Sequence, residues 1–173
     1  MPAATLANVS ETLYDLTITR VFDAPRELVY EAFSNPEHAK QWMGPRGFTA
    51  THLEQDARPG GRWRACLRQN DEWKGQKYPD LWQGGVFKEV VPPERVVYTF
   101  AWSGSGGQPT RETLITITFT ELDGDRTQMD FHQAFFDSIG LRDGHDQGWN
   151  SSFDRMQDYV KEHLYSRIEV DQQ

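Results

Sequence analysis

"DGHDQGWNSSFDRMQDYVKEHLYSRI", residues 143–168, contains Trp149, Phe153, Met156, Val160 and Leu164 at intervals of three and four residues. That spacing puts the five side chains on one stripe of a long amphipathic helix beginning near Trp149. Most of the rest of the stretch is polar, so the stripe needs an apolar surface supplied from elsewhere in the chain. Working upstream, the residues offer strands. In "RTQMDFHQAFF" (126–136) alternation puts Met129, Phe131, Gln133 and Phe135 on one face. In "RETLITITFTEL" (111–122) it aligns Thr113, Ile115, Ile117 and Phe119. "RVVYTFAW" (95–102) and "LWQGGVFKEVV" (81–91) also read as strands, separated by "PPE". "RWRACLR" (62–68) turns Trp63, Ala65 and Leu67 inward and Arg62, Arg64, Cys66 and Arg68 outward. "FTATHLEQD" (48–56) precedes it.

The first part of the chain changes period. "LYDLTITRVF" (13–22) alternates as a strand, with Arg20 interrupting the apolar face. "DAPRELVYEAF" (23–33) then gathers Leu28, Val29, Ala32 and Phe33 on a helical stripe behind Pro25. Asn35 is placed to cap a second short helix that starts at Pro36. In "QWMGPRGF" (41–48) an indole stands directly before Gly44, Pro45 and Gly47 and ends that helix. The order is strand, two helices, six strands, long helix. Short turns between strands imply an antiparallel sheet, and segregated helices imply the α+β class.

The 173 residues suit one domain, expected over 13–168, with a disordered lead-in at 1–12 and a tail at 169–173. The formal net charge of -8 argues against nucleic acid and anionic membrane surfaces. No run is apolar enough for a membrane span, and "MPAATLANVSE" lacks the basic start and apolar core of a signal peptide. One cysteine, Cys66, permits no internal disulfide, and a cytoplasmic location is expected. The five histidines, at 38, 52, 132, 145 and 163, lack the spacing of a helical metal site, so no metal and no cofactor is expected. "GSGG" (104–107) opens no helix and therefore offers no phosphate cradle. His145 reads as a polar residue just before the long helix rather than a catalytic base.

What remains distinctive is the 13% aromatic content, much of it on inward faces. A curved sheet with a helix across it leaves room between them, and an apolar pocket is the default small-molecule site. The expected wall is Trp63, Trp82, Phe100, Trp102, Ile117, Phe131, Trp149, Phe153 and Met156. Gln133, which interrupts an apolar run, is expected to orient a ligand. Trp149 is expected at the cavity's end, its ring toward the sheet, next to a glycine that opens packing or access.

The segments "ITRVFDAPRELVYEAFSNPEHAKQWMGPRGFT", "PGGRWR", "GGVFKEVVPPERVVYTFAW" and "HDQGWNSSFDRMQDYV" together resemble the START-like (SRPBCC) superfamily. More narrowly, they resemble the family named after the C-terminal domain of the activator of heat-shock-protein-90 ATPase, over about residues 14–165. The resemblance implies a helix-grip fold: a seven-stranded curved antiparallel sheet wrapped around the long C-terminal helix, with two short helices between strands 1 and 2. It makes Trp42 a partly buried lid residue. The polar insertion "NDEWKGQKYPD" (70–80) adds Trp73 and Tyr78 to that lid. The leading function is binding of a hydrophobic or aromatic small molecule by a carrier, sensor or sequestering protein. The alternatives are a cyclase- or hydrolase-like enzyme on an aromatic or polyketide-like substrate, and a chaperone-associated protein of the stress response. A homodimer is compatible with the sequence.

Overall fold

The computed structural model describes residues 11–103, 110–165 and 171. Residues 1–10 of the expected lead-in, most of the "SGSGGQPT" hairpin loop and all of the tail but Asp171 lie outside them. The elements run β1 (Tyr14–Phe22), α1 (Arg26–Ser34), α2 (Pro36–Trp42), β2 (Phe48–Gln55), β3 (Arg62–Gln69), β4 (Leu81–Val91), β5 (Arg95–Ser103), β6 (Thr113–Leu122), β7 (Arg126–Phe136) and α3 (Ile139–Tyr159). A wider π-helical turn, Val160–Tyr165, extends α3. All neighbouring strands pair antiparallel in the order β1-β7-β6-β5-β4-β3-β2, so β1 and β2 are the sheet's edges. This is the helix-grip architecture. No described helix is long and apolar enough to cross a membrane.

Local chemistry explains the short helices. The Pro25 carbonyl accepts from Leu28 and Val29 N–H, both at 3.1 Å, and opens α1. Leu28, Val29, Ala32 and Phe33 are all buried. Asn35 Oδ1 accepts from Glu37 N–H at 3.0 Å and caps α2, with Pro36 in the first turn where no N–H is needed.

Trp42 ends α2, but it is not a lid. Its ring is fully buried between Phe33 and Phe153, and its Nε1–H donates to the Ala32 carbonyl at 2.9 Å. The corner that follows requires left-handed backbone at Gly44 (φ 96°) and Gly47 (φ 93°). A Cβ on Gly44 would lie 3.0 Å from the Leu67 side chain, and one on Gly47 3.0 Å from the Trp73 ring. Arg155 of α3 secures this corner by donating to the carbonyls of Gly44 at 2.7 Å and Phe48 at 3.1 Å. At the opposite edge, Arg20 of β1 donates to Asp154 at 2.7 Å, Gln157 at 2.8 Å and Asn150 at 2.9 Å. The arginine that interrupts β1's apolar face is thus a clamp on α3.

Two other expectations are corrected. Phe135 is not inward: its φ is 79° and it is 46% exposed, while Phe136 is fully buried. The register explains the exchange, because Tyr14 pairs with Phe136 and Leu16 with Gln133, leaving one extra residue in β7 as a bulge. Cys66, although in the arginine register, is 0% exposed. Its cross-strand neighbours are His52 and Trp82, whose rings meet 5.4 Å apart.

Candidate functional site

A cavity of about 420 Å³ lies between the inner face of β3–β5, the first half of α3 and the corner 43–48. Its floor is aromatic: Phe100 and Trp102 from β5 meet edge-on at 5.3 Å, and Trp149 from α3 stands beside Phe100 at 6.4 Å. Met43, Pro45, Phe48, Leu67 and Leu81 extend the apolar side. Trp73 and Tyr78, from the connection between β3 and β4, also border it, with Trp73 packed on Phe48 at 5.0 Å. On α3 the wall includes Gly144 and Gly148, so the backbone itself borders the space.

The helix begins ten residues before Trp149, at Ile139. His145 is therefore not a residue before the helix but part of its buried face, 8% exposed and on the cavity wall. Its bonding fixes its tautomer. Trp102 Nε1–H can only donate, so His145 Nε2 accepts from it at 2.9 Å. The ring proton then sits on Nδ1 and donates to Gln133 Oε1 at 3.2 Å. The same oxygen accepts from Trp149 Nε1–H at 2.9 Å. Gln133 Nε2 donates to Thr113 Oγ1 at 2.9 Å, and that hydroxyl donates to the Phe100 carbonyl at 3.2 Å. Burial holds the imidazole down to a pKa of about 4. With its lone pair engaged and its proton donated, His145 is neutral near pH 7 and is a support for two tryptophans rather than a base.

The sequence-derived wall divides into three groups. Phe100, Trp102 and Trp149 border the cavity, as do Trp73 and Tyr78. Ile117, Phe131, Gln133, Phe153 and Met156 are 0% exposed and stand outside its lining. Phe131 backs Trp149 at 4.8 Å, and Phe153 stacks on it at 5.5 Å. Gln133 orients Trp149 and His145 from behind the wall. Trp63 is core as well: its indole reaches β5 and donates to the Thr99 carbonyl at 2.9 Å. Gly85 faces Trp63 across the ladder, and a Cβ there would fall 1.9 Å from that carbonyl, so only a bare backbone leaves the space. Trp82 is on the other side of the sheet, with the Arg64 guanidinium 3.9 Å over its ring. Inward orientation follows parity in β4, which selects Leu81 and Gln83. The apolarity of Trp82 masked that signal. Gly148, expected to open packing or access beside Trp149, is on the wall; Met43, Gly44, Gly144, Ser152 and Gln83 were missed because none announces a wall position from residue type alone.

Among the described residues, no three His, Cys, Asp or Glu side chains gather as a metal site. No curated protein matches the chain. Solved structures do. A Chromobacterium violaceum protein is 30% identical, with a TM-score of 0.70 over 85% of this chain and 97% of that one. The AHSA1 protein of Silicibacter pomeroyi is 19% identical, with a TM-score of 0.75 over 86% and 98% of the two chains. A Rhizobium leguminosarum protein is 24% identical, with a TM-score of 0.72 over 87% and 95%. The model of the family described as Activator of Hsp90 ATPase homolog 1-like protein matches residues 23–161, and the chain belongs to that family.

Proposed function

We propose that this protein is a binding module that takes up a hydrophobic, aromatic small molecule between the sheet and α3, as a carrier, sensor or sequestering protein. The observation that carries this reading is the cavity: about 420 Å³, walled by Phe100, Trp102, Trp149 and Phe48, with no Asp, Glu, Lys or Arg among the described residues that line it. Its volume is in the range of small-molecule pockets, roughly 300–1,000 Å³. The engaged state of His145 weighs against general-base chemistry, and so against the enzyme reading. Chaperone contact rests on the family's name, whereas the cavity is a feature of this chain. A cytoplasmic setting belongs to the same proposal.

The test is a titration with neutral aromatic and acyl-chain compounds, following tryptophan fluorescence and Tm. Trp102 and Trp149 at the wall should report binding as quenching. Occupancy at about 100 times Kd should add roughly 2.7 kcal/mol to stability and raise Tm. A broad panel that changes neither signal overturns the proposal.

A further inference from the structure

Gln83 lies on β4 opposite Ala65 of β3 and Trp102 of β5, is 4% exposed, and borders the cavity. The other polar groups of the buried wall are already engaged. His145 is held by Trp102 and Gln133, Trp149 by Gln133, and Ser152 Oγ donates to the Gly148 carbonyl at 2.9 Å. Gln147 and Tyr78 are exposed and have water. Among the described residues, the Gln83 side-chain amide has no hydrogen-bond partner. Nor are its amide atoms among the side-chain atoms that, in the described residues, are hidden from solvent without a hydrogen-bond partner, which are Arg26 Nε and His52 Nε2. It is reached from the cavity.

An unpartnered amide facing an apolar space is costly unless an occupant satisfies it. A primary amide presents a carbonyl acceptor and an N–H donor side by side in one plane. The matching edge is an N–H next to a C=O, held cis, as in a lactam. The uncharged lining adds a second condition. A carboxylate or ammonium would lose its water with no counter-ion in return. The aromatic floor adds a third, because flat rings pack against Phe100, Trp102 and Trp149.

We infer that the cavity selects an uncharged planar aromatic with an adjacent N–H donor and C=O acceptor, a cyclic amide, and that Gln83 reads this edge. The inference rests on the binding-module reading proposed above.

The experiment is calorimetric titration of the full chain with four probes: 2-quinolone, N-methyl-2-quinolone, naphthalene and 2-naphthoate. N-methylation removes the N–H while keeping the ring and the carbonyl. The expected result is that 2-quinolone binds about tenfold or more tighter than its N-methyl analogue, with 2-naphthoate weakest. Gln83→Leu should erase the preference for 2-quinolone over its N-methyl analogue in a protein that still binds naphthalene. Should that variant fail to fold by thermal melt, Gln83→Met carries the same comparison. Naphthalene binding without a lactam preference overturns the inference alone. A preference that survives Gln83 replacement in a folded variant also overturns it. Failure of the wild-type protein to bind any of the probes overturns the inference and counts against the binding-module reading as well.

Discussion

A histidine in water takes a proton near pH 6.5, whereas burial holds His145 down to about 4. Between those values the unfolded chain binds the proton and the folded chain does not, so stability rises with pH across that window. The contribution is fully present above about pH 6.5 and is lost as pH falls through about 4. It amounts to on the order of 3 kcal/mol for this group. Urea unfolding between about pH 7 and about pH 4 should show the loss in the wild type and a clearly smaller loss in His145→Gln. Parallel pH profiles would remove His145 as the cause. At this scale the sequence was partly legible. Gln133 declared itself as an amide in an apolar run. Its partners could not be read, because they come from β6 and from the first half of α3, brought together only by folding.

Within α3, the spacing of Gly140, Gly144 and Gly148 puts them on one stripe, and a Cβ at any of them would meet nothing within 4 Å. No close packing therefore demands these glycines. Each costs about 1 kcal/mol of helix propensity relative to Ala, and at Gly144 and Gly148 the return is open space on the cavity wall. Gly148→Ala should raise stability by about 0.5–1 kcal/mol while weakening binding of an aromatic probe. Gly140→Ala, away from the wall, should give the same gain with binding unchanged. Thermal melts and titration of both variants check this, and equal binding by both would detach the glycines from the cavity. The same glycines hid the start of the helix. The stripe from Trp149 onward was legible as helix, but residues 139–148 have weak local propensity, carry one buried side chain, His145, and start from a cap, Ser138 Oγ accepting from Leu141 N–H at 3.1 Å. The β7 bulge was hidden for a related reason: alternation has no mark for one extra residue.

Across the molecule, α3 is fastened at both margins of the sheet, by Arg20 at β1 and by Arg155 at the corner before β2. The strand sequence was legible because turn residues punctuate it, and the α+β class followed. Which strands form the edges was not, since the return of β1 to β7 spans most of the chain. Arg155 has one task at the β2 side: its guanidinium satisfies several corner carbonyls, and burial together with Arg46 nearby pulls its pKa below the usual range. Arg155→Met should cost about 1–3 kcal/mol by orphaning those carbonyls. Hydrogen exchange should quicken at residues 43–48, which border the cavity, and not in β1. Equal quickening at both margins would mean that Arg155 holds the whole helix rather than one corner. Cys66 is fully buried on β3, with His52 of β2 and Trp82 of β4 as its cross-strand neighbours. Its reaction with an electrophile must wait for those strands to part, so alkylation becomes a clock for the opening of the β2 margin. While the margin is shut, the chain's sole thiol stays a passenger through any change in the redox state around it.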